Sequence, residues 1–163
     1  MERLKPRNEV LLSDGRYRNR INLDDSTDEA SEMTIDTIYD ELENVCLSEN
    51  APDAVRSHFE TARNLIVYSW FVYSFNVVAA MQAFASLEMA LRDITGEQET
   101  PFKNLLDKAF KGRKLVSAFG PPIELSKAIS KLRNDLAHGS PTLHGQGLAL
   151  VGMCADLINE LYP

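Results

Sequence analysis

Residues 77–94, VVAAMQAFASLEMALRDI, settle the fold class of this chain. Ala80, Ala83, Phe84, Leu87, Leu91 and Ile94 recur at steps of three and four, so one side of a 3.6-residue helix is apolar. Gly96 follows as a stop, because glycine enters the left-handed conformation that ends helices. One acid, Glu88, interrupts the apolar run four residues before Arg92. The bland reading of that acid is an i, i+4 ion pair with Arg92.

The same period recurs on both sides. Upstream, Asn50-Ala51-Pro52 is a break, and Val55, Phe59, Ala62, Leu65 and Ile66 form a second stripe. One helix from 52 to 95 would be very long for a small domain, so the aromatic run VYSWFVYSF at 67–75 is expected to bend or unwind. Its rings belong in a core or an interface, with base stacking as the competing role. Further upstream, Ile35, Ile38, Leu42, Val45 and Cys46 mark a first helix within 28–49, with Ser26 or Thr27 as its cap. Residues 1–27 are polar without a helical period and read as a flexible arm, with a short hairpin at Asp14-Gly15 as the alternative.

Downstream, PFKNLLDKAF gives a short helix over 101–110 and KGRKLVSAFGPP a loop. Pro122 opens a helix carrying Leu125, Ala128, Ile129, Leu132 and Leu136, which Gly139 and Pro141 close. Leu148, Val151, Cys154, Ala155, Ile158 and Leu161 mark a last helix over 143–161. Outside the arm there is no strand run or repeat. The expectation is an all-α protein, an up-and-down bundle of four to five main helices forming one domain over 28–163. A domain this long buries roughly 70% of its unfolded surface and needs no staple. Cys46 and Cys154 make no disulfide framework and read as buried free thiols.

The net charge of −7 is unevenly spread. Ten acids and no base lie within 24–49, whereas 103–133 holds eight bases against Asp107 and Glu124. An acidic chain is a poor nonspecific binder of nucleic acid, although a local basic groove stays open. The acidic stretch is read as a surface helix, with an RNA-mimicking shield over the basic segment or a docking site for a basic antitoxin as alternatives. The start, MERLKPRNEVLL, lacks the apolar core of a secretory signal, and the run at 65–91 is too polar to span a membrane. These features predict a cytoplasmic location and no membrane partner. His58, His138 and His144 show no metal-ligand spacing, so no metal or other cofactor is expected.

On a helical wheel of 122–139, Leu125, Ala128, Ile129, Leu132 and Leu136 cluster as the core face, with Lys127, Lys131, Asn134 and His138 opposite and Arg133 between. Such an exposed set suits a phosphodiester: cations for the phosphate, an amide to orient it, an imidazole to move a proton. Cations are also common at helix ends for the dipole alone.

LRNDLAHG, residues 132–139, resembles the Arg-x4–6-His signature of the HEPN superfamily, in which a polar residue often follows the arginine. AFASLEMALRDITG, residues 83–96, is similar to an early HEPN helix with an acid before ALR. The resemblance spans about 55–161. It implies a helical bundle, usually a homodimer with the two motif helices facing each other, and in many members a metal-independent endoribonuclease of toxin–antitoxin, phage-defence or RNA-processing systems. Other members have lost catalysis and serve as binding or scaffold modules.

Carried onto this chain, the resemblance makes Arg133, Asn134 and His138 catalytic, with Glu88 supporting Arg133 and Lys127 and Lys131 binding RNA. An antitoxin protein is a possible partner. Ser140 stands where one subgroup carries a tyrosine that a partner nucleotidyltransferase modifies, so that subgroup is not implied. A helical adaptor with Arg133 and His138 merely on its surface is the reading from outside the family.

Overall fold

The computed structural model describes residues 4–18, 21–23, 30–112, 114–115, 122–139 and 145–163. Among them are six α-helices: α1 (Ile35–Glu43), α2 (Asp53–Ser69), α3 (Phe75–Thr95), α4 (Phe102–Lys111), α5 (Pro122–Ala137) and α6 (Gly147–Leu161). A two-stranded antiparallel ribbon joins β1 (Ile21–Leu23) to β2 (Ala30–Glu32), pairing Ile21 with Glu32 and Leu23 with Ala30. Among the described residues the regular structure is helical apart from this ribbon, as the periodicity predicts. Among the described residues no helix is long and apolar enough to cross a membrane.

Local chemistry sets most helix ends. Thr34 caps α1 through a reciprocal box: its hydroxyl accepts from the Thr37 N–H at 3.1 Å, and the Thr37 hydroxyl accepts from the Thr34 N–H. The first helix therefore starts at Ile35 instead of 28, because β2 occupies the preceding residues; Ser26 and Thr27 lie outside the described set. Pro52 precedes α2, and the aromatic run does break the long helix: α2 ends at Ser69 and α3 begins at Phe75. Gly96, at φ 71°, ends α3 by donating its N–H to the Arg92 carbonyl at 2.8 Å.

Helix α3 lies at the centre, packed against α2, α4, α5 and α6, and α1 rests on α2. Phe59, Phe84, Leu87, Leu91, Leu105 and Ile158 fill the core between them. The start of α6 presses on α3 so closely that a Cβ on Gly147 would lie 2.6 Å from the Asn76 carbonyl oxygen. Cys154 is buried as expected, and burial pushes its thiol pKa up. Cys46 is exposed instead, because α1 stops at Glu43 and its stripe ends there.

Part of the segment read as a flexible arm is docked. Tyr17 is buried, with ring centroids 5.2 Å from both Trp70 and Tyr73. Its hydroxyl lies 2.7 Å from the Ser69 Oγ and accepts from the Asn76 amide at 2.9 Å. The Asp14 N–H donates to the Trp70 carbonyl at 2.7 Å, and the Asp14 carboxylate accepts from the Tyr73 N–H at 3.3 Å. Residues 14–17 form a turn, and the only described ribbon pairs 21–23 with 30–32, so the hairpin at Asp14-Gly15 does not form. The unwound corner between α2 and α3 leaves backbone groups that a helix would satisfy internally, and the arm supplies their partners.

Candidate functional site

Helix α5 leans on α4 and α3. Ile129 and Leu136 are buried, as the wheel predicts, but Leu125 and Leu132 are half-buried and Ala128 is exposed. Ser126 and Ser130 take the buried places instead. The inward face is thus rotated toward the serines. The Ser126 hydroxyl donates to Asp107 of α4, which gives the inward face a polar anchor that hydrophobic periodicity does not register. Lys103 donates to the same carboxylate at 2.6 Å, and together these bonds hold the Asp107 pKa below the usual carboxylate range.

Lys127, Lys131, Asn134 and His138 turn away from the core, while Arg133 lies on the side that faces α3. Lys127, Lys131, Arg133, Asn134 and His138 are all exposed. Helix α5 ends at Ala137; the His138 N–H still donates to the Asn134 carbonyl at 2.9 Å, and Gly139 at φ 74° turns the chain away. His138 therefore sits on the last turn, out of the apolar core. Lys131 is paired with Asp135 one turn on, which spends part of its charge within the helix. His144 and Arg113 lie outside the described residues.

Arg133 is held from two sides. Its Nη1 donates to the Asn134 side-chain oxygen at 3.5 Å, and its Nη2 lies 3.5 Å from Glu88 Oε2. Glu88 Oε1 meanwhile accepts from Arg92 Nη2 at 2.6 Å. From the sequence, an Arg92 bridge and an Arg133 contact are alternatives for Glu88; the carboxylate makes both, one through each oxygen. Arg92 is fixed in turn by donating Nη1 to the carbonyls of Glu97 and Gln98. A chain of contacts thus runs from the turn after α3, through Arg92 and Glu88, to the guanidinium on α5. Side-chain exposures of 21% for Glu88, 25% for Arg92 and 44% for Arg133 grade it from half-shielded to open.

Other candidates lie elsewhere. His58 sits between α2 and α3, its Nδ1 2.9 Å from the Ser86 Oγ and its carbonyl accepting from Gln82 at 3.1 Å. Trp70 and Tyr73 pack around Tyr17, while Tyr68 is exposed. In the described part of the acidic segment Ile38 and Leu42 are buried and α1 rests on α2; Asp24, Asp25, Asp28 and Glu29 lie outside the described residues. In the basic segment Lys103 pairs with Asp107 and Lys108 with Glu97. Among the described residues no three His, Cys, Asp or Glu side chains converge as metal ligands would.

Two features escape the sequence reading. Tyr17, Ser69 and Asn76 form a buried hydrogen-bonded set, which the lone aromatic in the polar stretch GRYRNR hints at. A cleft of about 430 Å³ opens beside Glu88, between the start of α2 and the second half of α3, and no local pattern marks it. No protein-family model, curated protein or solved structure matches this chain.

Proposed function

We propose that this protein is a metal-independent endoribonuclease of the HEPN type. The observation that carries the reading is the joint placement of Arg133 and His138: both open to solvent at the end of one helix, with the arginine oriented by Glu88 from a buried helix. His138 takes the proton from a ribose 2′-hydroxyl, or gives one to the 5′-oxygen that leaves, a contribution of roughly 10² to 10⁴ in rate. Arg133 carries the charge that builds on the phosphorane oxygens. Asn134 orients a nonbridging oxygen, and Lys127 and Lys131 hold the flanking backbone. The 2′-oxygen bonds to phosphorus as the 5′-oxygen departs, leaving a 2′,3′-cyclic phosphate and a 5′-hydroxyl.

One chain supplies one histidine to this surface, while the reaction uses both a base and an acid. A homodimer with the two α5 ends facing across one cleft provides the pair. Such an effector fits a toxin–antitoxin or phage-defence system, with the antitoxin covering the α5 face. A second reading, a catalytically silent dimeric binding or scaffold module of the same family, is favoured by exposed Val78 and Met81 on α3, which offer a partner an apolar surface.

Incubating purified protein with mixed RNA in the presence of chelator, beside His138→Ala, separates the two. Cleavage to cyclic-phosphate ends that the substitution abolishes is the expected result. Intact RNA from a folded dimer leaves the binding module, and a monomer that cleaves RNA contradicts the paired histidines.

A further inference from the structure

The cleft beside Glu88 has mixed walls. Val55, Ala85 and Met89 make it apolar, and Glu88, Asp93 and Gln98 add polar groups. Its volume, about 430 Å³, falls in the roughly 300–1,000 Å³ range of clefts that bind small molecules. Glu88 belongs to this cleft and to the Arg133 contact at once. A phosphate resting on Arg133 therefore lies one side chain away from it.

The charges of the cleft select what enters. Arg92 lines it but is already engaged, by Glu88 and by the carbonyls of Glu97 and Gln98. Asp93, which lines the cleft, adds a carboxylate whose Oδ2 accepts from the Tyr162 hydroxyl at 2.8 Å. A second phosphate would meet two carboxylates against one compensated guanidinium. A neutral, planar group with N–H donors suits the same surroundings.

We infer that this cleft holds an amine-bearing nucleobase, belonging to the nucleotide next to the phosphate on Arg133; the inference rests on the ribonuclease reading. Met89 and Ala85 on α3 take one face of the base and Pro52 and Val55, at the start of α2, the other, with the thioether making favourable contact with the aromatic ring. The exocyclic amine of cytosine or adenine donates to Asp93, a pairing that carboxylates commonly make with cytosine N4. Uracil presents a carbonyl at that place and sets oxygen against oxygen. The site thus discriminates against uracil without using any residue of the α5 motif.

The test uses free nucleosides, which carry no phosphodiester. Adenosine, cytidine and uridine are titrated into the full chain labelled at its methionine methyl groups and followed by NMR. Adenosine and cytidine are expected to shift the Met89 methyl saturably, uridine at least about tenfold more weakly, with Met81, exposed on the same helix but outside the cleft, unmoved. Ala85→Trp fills the cleft from an exposed position and should weaken cytidine binding about tenfold or more. If that variant does not fold, Asp93→Asn gives the second readout: an amide can donate to a carbonyl, so the preference for cytidine over uridine should vanish.

A Met89 methyl that ignores all three nucleosides, or uridine binding as tightly as cytidine, overturns the inference. Cleavage of RNA alongside a silent Met89 removes the cleft and keeps the ribonuclease. Saturable cytidine binding by a chain that leaves RNA intact removes the ribonuclease and keeps the cleft.

Discussion

Helices α3 and α5 meet at the Glu88–Arg133 contact and are otherwise built in opposite ways. α3 touches four other helices and buries Ala79, Ala83, Phe84, Leu87, Ala90 and Leu91. Its alanines allow neighbours to approach on several sides. α5 buries Ser126, Ile129, Ser130 and Leu136 among its described side chains and turns its charged residues to water. The difference shows how such a site is divided. A buried central helix supplies the carboxylate beside Arg133, and a peripheral helix presents its charged groups to solvent.

The largest expected effect tests that division by stability. Phe84 is 2% exposed and meets Phe102 edge-on at 6.3 Å, so Phe84→Ala should cost about 3–5 kcal/mol in urea unfolding. Ala128→Ser, on the exposed side of α5, should stay within about 0.5 kcal/mol. Comparable losses at both positions would break the comparison.

Activity should show the reverse. Arg133→Lys keeps a charge but loses the planar fork, and should lower RNA cleavage by roughly 10² to 10³ with the melting temperature unchanged. Near-normal turnover in the lysine variant would reduce Arg133 to a general cation.

Between these lies the anchoring of the corner where α3 begins. The Arg16 side chain beside Asp14, helped by the Arg16 and Tyr73 N–H groups, holds the Asp14 carboxyl well below its usual range, against the opposing effect of burial. Such a group stabilises the fold above about pH 4, the ordinary carboxylate value, and loses that contribution as pH falls toward its folded value. Asp14→Asn should therefore cost about 1–3 kcal/mol at pH 7, the range for hydrogen bonds to a charged group. The penalty should shrink in acid. A penalty independent of pH between 7 and 3 would mean that shape, not charge, holds the arm.

Glu88→Gln should change stability only slightly. Its ion pairs are partly solvated and worth about 1 kcal/mol or less. Cleavage should fall by more than this loss of stability explains, because Arg133 loses its orientation. Unchanged cleavage in that variant would uncouple the two helices.

Much of this molecule follows from local pattern. The stripes at 77–94 and 148–161 place α3 and α6, the aromatic run places the break between α2 and α3, and Gly96 ends α3 where a left-handed residue is needed. The same stripe logic puts Asn134 and His138 on an exposed face with Arg133 at its margin, since spacing along one helix fixes which residues share a side. It misjudges α5 at Ala128 and Ser130, because which flank of an apolar stripe turns inward depends on the neighbouring helix. Residues 14–17 are misjudged for a related reason: Tyr17 is buried by a corner that exists only once α2 and α3 have folded.

From sequence alone, the chain determines its helical character, the ends of several helices and the set of groups offered on α5. Only the tertiary structure decides that Glu88 serves Arg92 and Arg133 together, that Tyr17 belongs to the core, and that a cleft opens beside Glu88. Helical periodicity is a property of neighbours three and four residues apart, whereas a contact between α3 and α5 exists only when the packing of every intervening element brings them within ion-pair distance.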